Sequence, residues 1–150
     1  MGKTYLSKSV YTAAIERVAY LCKEFDNVLV AFSGGKDSAV CLNICYDYAR
    51  ENGLLDKLAM YHLDYEAQYE MTTEFVARTF RGFDGIRKFW LCLPIAASCG
   101  CTMDGGTWIP WEQAQRQIWA REYPESPYLI NDDNAPFEVI EGEKEYDLQD

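Results

Sequence analysis

A continuous apolar run, Val28-Leu29-Val30-Ala31-Phe32, passes directly into Ser33-Gly34-Gly35-Lys36-Asp37-Ser38 and then into a helical pattern. A run without polar alternation suits a strand buried on both faces, as in a parallel sheet. Two adjacent glycines let the chain turn sharply and keep Cβ atoms out of a ligand's way. Free N–H groups at the start of the following helix, with the helix dipole behind them, favour an anion. Ser33 and Ser38 add hydroxyl donors and Lys36 a full positive charge. Asp37 either holds the loop by accepting backbone hydrogen bonds or helps to position a metal. The loop is not the G-x-x-x-x-G-K-[ST] phosphate loop, because Val30 lies five positions before Gly35 and Asp37 replaces the Ser or Thr. Nor does it fit G-x-G-x-x-G.

Helical and strand patterns alternate around this loop. Ser9 is placed to cap a first helix whose stripe is Tyr11, Ile15, Val18, Cys22 and Phe25, ended by Asp26-Asn27. From Lys36 to about Glu51 a helix carries Val40, Ile44 and Tyr48 on one side, and Asn52-Gly53 stops it. Leu58–Leu63 reads as a second strand. A further helix runs from about Tyr69 to Arg81, with Tyr69, Thr73, Val76 and Phe80 in register, and Gly82-Phe83-Asp84-Gly85 turns the chain. Phe89–Leu93 is a third strand, stopped by Pro94. The order predicts an α/β fold with a doubly wound parallel sheet and three core strands. Ligands of such sheets bind at the carboxyl ends of the strands, here residues 33–38, 64–66 and 94–101. Farther on, a helix is expected from Trp111 to Glu122, between Pro110 and Pro124, and no strand is expected in 125–150.

Charge divides the chain at the same place. Residues 1–124 hold 15 acids and 13 bases, whereas 125–150 hold nine acids and only Lys144. The expectation is one folded domain over 1–124 followed by an acidic, flexible tail over 125–150. The net charge of −10 argues against non-specific nucleic-acid binding. No apolar run approaches the roughly 18 residues of a membrane span. The amino terminus lacks the apolar stretch of a signal peptide, so the cytoplasm is expected. Free thiols follow from that compartment. Cys22, Cys41 and Cys45 fall in helical apolar patterns and read as core residues, while Cys99 and Cys101 sit in a loop context as either a redox or sulfur-carrying pair or unreactive thiols. Cys92, Cys99, Cys101 and His62 match no common zinc spacing. His62 reads as a packed or hydrogen-bonded strand residue rather than a catalytic one. Trp108, Trp111 and Trp119 either cover a hydrophobic edge or form an adenine clamp or subunit contact.

The Ser33-Gly34-Gly35-x-Asp37-Ser38 pattern after an apolar strand resembles the PP-loop of the adenine nucleotide α-hydrolase-like superfamily. That superfamily includes ATP pyrophosphatases, tRNA-thiolating enzymes, ATP sulfurylase small subunits and phosphoadenosine phosphosulfate (PAPS) reductases. Lys36 and its surroundings look most like the PAPS reductase branch. Val28 to Ser38, His62-Leu63-Asp64-Tyr65-Glu66 and Trp108-x-Pro110-Trp111 resemble its immunoglobulin-binding-regulator-type members, often described as PAPS reductases or sulfotransferases. The resemblance spans residues 5 to about 137.

It implies a Rossmann-like domain that binds ATP or PAPS, with Mg²⁺ where the nucleotide is ATP. Phosphates or sulfate would lie on Ser33, Gly34, Gly35, Lys36, Asp37 and Ser38, and adenine against Ala31, Phe32, Leu63 and Asp64. Asp64 is either that acidic site residue or a turn carboxylate. Lys36 and Asp37 are the candidate catalytic residues, for adenylyl or sulfonucleotide transfer. The carboxyl-terminal Glu-Cys-Gly-Leu-His segment of the reductases is missing, as is the Gly-x-Arg segment of relatives that continue past this length. The alternative is therefore a nucleotide-binding regulatory or defence-complex module without chemistry. Three parallel strands with an exposed edge predict a homodimer or docking on a larger partner.

Overall fold

In a computed structural model, residues 7–98 and 106–139 are described. The first helix, α1 (Val10–Glu24), starts at Ser9, whose hydroxyl accepts the Thr12 N–H at 3.0 Å. It buries Val18 and Cys22, the middle of its apolar stripe, and leaves Tyr11 and Phe25 at its ends more than half exposed. The elements that follow are β1 (Val28–Ala31), α2 (Lys36–Glu51), β2 (Leu58–Leu63), α3 (Glu70–Gly82) and β3 (Arg87–Leu91). Helix α2 stops where the sequence indicates, with Gly53 at φ 68°. Its core face is that of Leu42 and Ala49 rather than Val40, which is 57% exposed. Cys22 is buried as expected, but Cys41 is exposed, which corrects its reading as a core residue.

The chain then makes a short antiparallel pair, β4 (Ala97–Ser98) with β5 (Thr107–Trp108), a single six-residue 3₁₀ segment over Gln113–Ile118, and β6 (Leu129–Ile130). Two expectations are corrected here. The stretch after Pro110 is not an α-helix: its internal bonds are the i−3 kind, Gln115 N–H to the Glu112 carbonyl and Trp119 N–H to the Arg116 carbonyl, and Glu66 holds both of its ends. Trp111 sits at φ 59° with its N–H on Glu66 Oε2 (2.9 Å), and the Ala120 N–H goes to Glu66 Oε1 (2.6 Å). The region after 125 does contain a strand. Leu129 and Ile130 pair in parallel with Trp90 and Leu91, so the main sheet has four strands, not three.

The main sheet is parallel, in the order β1-β2-β3-β6, flanked by helices. Alternation along the strands separates its faces. Even-numbered Val30, Leu58, Met60 and Trp90 join Leu42 and Ala49 of α2 and Val76 and Phe80 of α3 in one core. Both crossover helices therefore pack on that face. Odd-numbered Leu29, Ala31, Tyr61, Leu63, Phe89 and Leu91 point the other way and floor an open groove, none of whose lining residues belongs to α1, α2 or α3. No described helix is long and apolar enough to cross a membrane.

Candidate functional site

Strand β1 delivers the chain to the glycine loop at the carboxyl end of the sheet. Gly34 adopts φ 82°, and a Cβ there would come 2.8 Å from Thr72 Cγ2 and 3.1 Å from Val76 Cγ2. Glycine is thus required twice, by the left-handed backbone and by the first turns of α3 pressed against it. The loop is tied to itself through its serines. Ser33 Oγ lies 3.0 Å from Ser38 Oγ, Ser38 Oγ donates to the Gly35 carbonyl at 3.0 Å, and the Gly35 N–H reaches Ser33 Oγ at 3.4 Å. Gly35 occupies the cap position of α2 without a side-chain cap, which leaves the first-turn N–H groups free of one. Lys36 Nζ and Asp37 Oδ1 pair at 2.6 Å, with both side chains almost fully in solvent. First-turn amides without a side-chain cap and an exposed ammonium can together receive an anion of phosphate or sulfate type, with the serine hydroxyls donating to it once they release their internal bonds.

The groove abuts this loop. Its volume is about 820 Å³, within the range of small-molecule sites. Its floor is the odd face of the sheet, continued by Ile130; Phe32, Ser33, Tyr65 and Gln68 form the end nearest the loop, and Pro136 and Phe137 the far side. A smaller cleft of about 540 Å³ is lined by Ser33, Ala67, Gln68, Tyr69 and Thr72, between the glycine loop and the start of α3. Of the residues assigned to the base, Ala31, Phe32 and Leu63 line the groove.

Asp64 is 1% exposed and its carboxylate is committed inward. Oδ1 accepts from the Glu66 N–H (2.8 Å) and from Arg121 Nη2 (2.5 Å), and Oδ2 from Trp90 Nε1 (2.7 Å). Its carbonyl accepts Trp111 Nε1 at 2.6 Å, and the Arg121 guanidinium lies over the Trp111 ring. Glu66, at φ 64° and 4% exposed, completes the clamp through both carboxylate oxygens and its carbonyl, which takes Arg121 Nε at 2.9 Å. Buried acids become tolerable when every oxygen is engaged in this way. This is the turn-carboxylate alternative for Asp64. The clamp fastens the 107–123 segment to the end of β2.

The aromatic residues divide similarly. Trp111 is fully buried and stacks on Tyr123 (4.9 Å, 29°), with Trp119 edge-on at 5.2 Å, so these two indoles cover a core edge and do not line the groove. Burial pushes the Tyr123 phenol upward, with Asp132 adding to the effect. His62 is 1% exposed, with Nδ1 2.8 Å from the Phe32 carbonyl; burial lowers its pKa, against opposing effects from that carbonyl, Asp64 and Gln68. Cys92 is buried and its thiol pushed far up by desolvation, and burial raises Cys45 to about 11. Neither suits thiolate chemistry. Cys99 and Cys101 lie outside the described residues. Among the described residues no group of three or more His, Cys, Asp or Glu is placed to hold a metal.

Tyr61, Tyr65, Gln68, Phe89 and Phe137 were not singled out from the sequence as groove residues. The 61-63-65 alternation through β2 carries a signal for two of them; Gln68 carries none.

No family model matches the chain. A curated relative, the uncharacterized protein YbdN of Escherichia coli (strain K12), is 30% identical over 125 residues, which cover 82% of this chain. The chain spans about 30% of that relative's length.

Proposed function

We propose that this chain binds an adenine nucleotide, with the phosphates or sulfate of ATP or PAPS on Ser33–Ser38 and the base in the adjoining groove. The observation that carries this reading is the junction of a side-chain-uncapped helix start, two loop hydroxyls and a glycine forced to φ 82° with an apolar groove of nucleotide size. The resemblance of the loop to the PP-loop of the PAPS reductase branch supports it, and a partner layer on the face that α1, α2 and α3 leave open would extend the fold reading to a doubly wound, Rossmann-like sheet. Lys36 and the loop amides would stabilise charge on the leaving phosphates in adenylyl or sulfonucleotide transfer. Mg²⁺ would accompany ATP, with Asp37 the nearest carboxylate in the loop.

A second reading, a nucleotide-binding module without chemistry, is favoured by one specific feature. His62 and Asp64, the imidazole and the carboxylate at the end of β2, are both engaged in internal bonds. Among the described residues the outer edge of β1 pairs with no strand and no helix covers the odd face, which supports association, as a homodimer or on a larger protein.

The test is thermal stability with ATP, PAPS and adenosine 3′,5′-bisphosphate, each with and without Mg²⁺, in the wild type and Lys36→Ala. A ligand at about 100 times its Kd adds about 2.7 kcal/mol of stability. A shift with PAPS or the bisphosphate that Lys36→Ala weakens supports the sulfonucleotide branch. A Mg²⁺-dependent shift with ATP alone supports pyrophosphatase-like chemistry. Absence of any shift refutes nucleotide binding. Release of pyrophosphate or sulfite then separates the enzyme from the module.

A further inference from the structure

Among the described residues, two buried polar atoms near the end of β2 lack partners, His62 Nε2 and Gln68 Oε1, the latter on a side chain that lines the groove. Their chemistry is set from the other side of the imidazole. Nδ1 lies 2.8 Å from the Phe32 carbonyl oxygen, which can only accept, so Nδ1 carries the proton. In the neutral ring Nε2 is then a bare acceptor. Gln68 acts on the His62 imidazole, and two buried acceptors left without a donor are unfavourable. An amide has nearly the same shape with its ends exchanged. With the amide turned over, the Gln68 NH₂ donates to His62 Nε2, and both deficits become one hydrogen bond. The carbonyl oxygen then becomes the free end of a side chain that lines both the groove and the cleft beside Ser33.

We propose that Gln68 is a specificity-determining residue: held by His62, it presents a carbonyl oxygen to the groove and selects a base bearing an exocyclic amine over one bearing an oxo group. This rests on the reading of the groove as a nucleotide site. A 6-amino purine donates to that oxygen. A 6-oxo purine sets acceptor against acceptor in a space with apolar walls, where an unmade hydrogen bond is most costly. The polarity of the recognition comes from the chain Phe32 carbonyl, His62 Nδ1–H, His62 Nε2, Gln68 amide. Gln68 also stands next to Ser33, which places base reading and anion binding on neighbouring side chains.

The experiment compares ATP with ITP, adenosine 3′,5′-bisphosphate with its inosine counterpart, and tripolyphosphate alone, by calorimetry on wild type and Gln68→Met. The amino base is expected to bind about tenfold or more tightly than the oxo base, and the ratio to fall to about twofold or less in Gln68→Met. Tripolyphosphate binding should be unchanged by the substitution. ¹⁵N spectra of His62 supply a readout that a packing role would not give: an Nδ1-protonated tautomer whose Nε2 resonance moves in Gln68→Met. Binding with no amino-over-oxo preference, or a preference that survives Gln68→Met, would overturn the assignment while leaving the anion loop intact. An Nε2-protonated His62 would also overturn it. If none of the probes binds, the nucleotide reading fails and the role of Gln68 falls with it.

Discussion

Replacing Gly34 by alanine tests whether the loop is shaped by its contact with α3 or by its backbone conformation alone. At φ 82° an alanine costs about 1–2 kcal/mol from steric conflict with its own carbonyl. The added Cβ would also stand 2.8 Å from Thr72 Cγ2, inside any real contact distance, and 3.1 Å from Val76 Cγ2. Forcing these apart adds about 1–3 kcal/mol, as overpacking does elsewhere. The expected loss is therefore about 2–5 kcal/mol, a large part of the 5–15 kcal/mol typical of a domain. Thr72→Ser removes the offending methyl and leaves the φ conflict in place. In a double-mutant cycle by urea unfolding, Gly34→Ala/Thr72→Ser should be less destabilised than the sum of the single changes by about 1 kcal/mol or more. The midpoint should move while the m-value holds. A Gly34→Ala loss below about 0.5 kcal/mol, or single changes that add within about 0.3 kcal/mol, refutes the contact with α3 as the reason for glycine here.

Two further outcomes follow from the interior of the β2 end. Asp64→Asn presents an amide N–H₂ where the carboxylate met only donors, and leaves Arg121 without its counter-charge. The expected cost is about 3 kcal/mol, the low end for a broken buried pair because the Arg121 side chain is 24% exposed; urea unfolding at pH 7 measures it, and a loss under 1 kcal/mol contradicts the clamp. His62 resists protonation when folded, so the unfolded chain binds the extra proton first as pH falls below about 6.5. Stability is present in full above that pH and should fall at up to about 1.4 kcal/mol per pH unit below it, down to the folded pKa, and His62→Gln should remove that part of the slope between pH 5 and 8.

What the sequence made legible was local. Ser9, Asn52-Gly53 and the Val28–Phe32 run carry their own chemistry for cap, stop and strand; the structure realises cap and stop, and makes Val28–Ala31 a parallel strand whose Leu29 and Ala31 are exposed, which corrects the reading of a strand buried on both faces. The glycine loop was legible for the same reason: glycines, hydroxyls and a lysine at a strand-to-helix turn are readable without knowing what lies opposite. The segment after Pro110 was not, because its conformation is imposed by Glu66, 45 residues from Trp111 and 54 from Ala120. Its apolar spacing suits a helix, but the Glu66 carboxylate fixes Trp111 at φ 59° at one end and takes the Ala120 N–H at the other, leaving only a 3₁₀ segment between them. Leu129–Ile130 was missed because two residues give no periodicity, and only the exposed edge of β3 makes them a strand.

The pattern along β2 and β3 bears directly on what the groove is for. Positions facing the helices include His62, Asp64 and Lys88, all less than 9% exposed, while positions facing outward include Tyr61, Leu63, Phe89 and Leu91. A half-buried sheet in water normally keeps its outward positions polar, whereas here both faces are largely apolar, with Val30, Leu58, Met60 and Trp90 facing inward beside these polar groups. Here the inward polar groups are each bonded: Lys88 Nζ donates to the Phe80 carbonyl at 2.6 Å and lies over the Tyr128 ring, and His62 and Asp64 are held as described. Such bonding makes their burial tolerable but does not explain why outward positions carry tyrosine, leucine and phenylalanine. Water gains nothing from those residues. A ligand base or a protein surface does, at about 25 cal/mol for each Å² of apolar area covered. The apolar outward positions thus argue that the odd face is a binding surface, and the glycine loop at its end supplies the charge recognition that an apolar groove lacks.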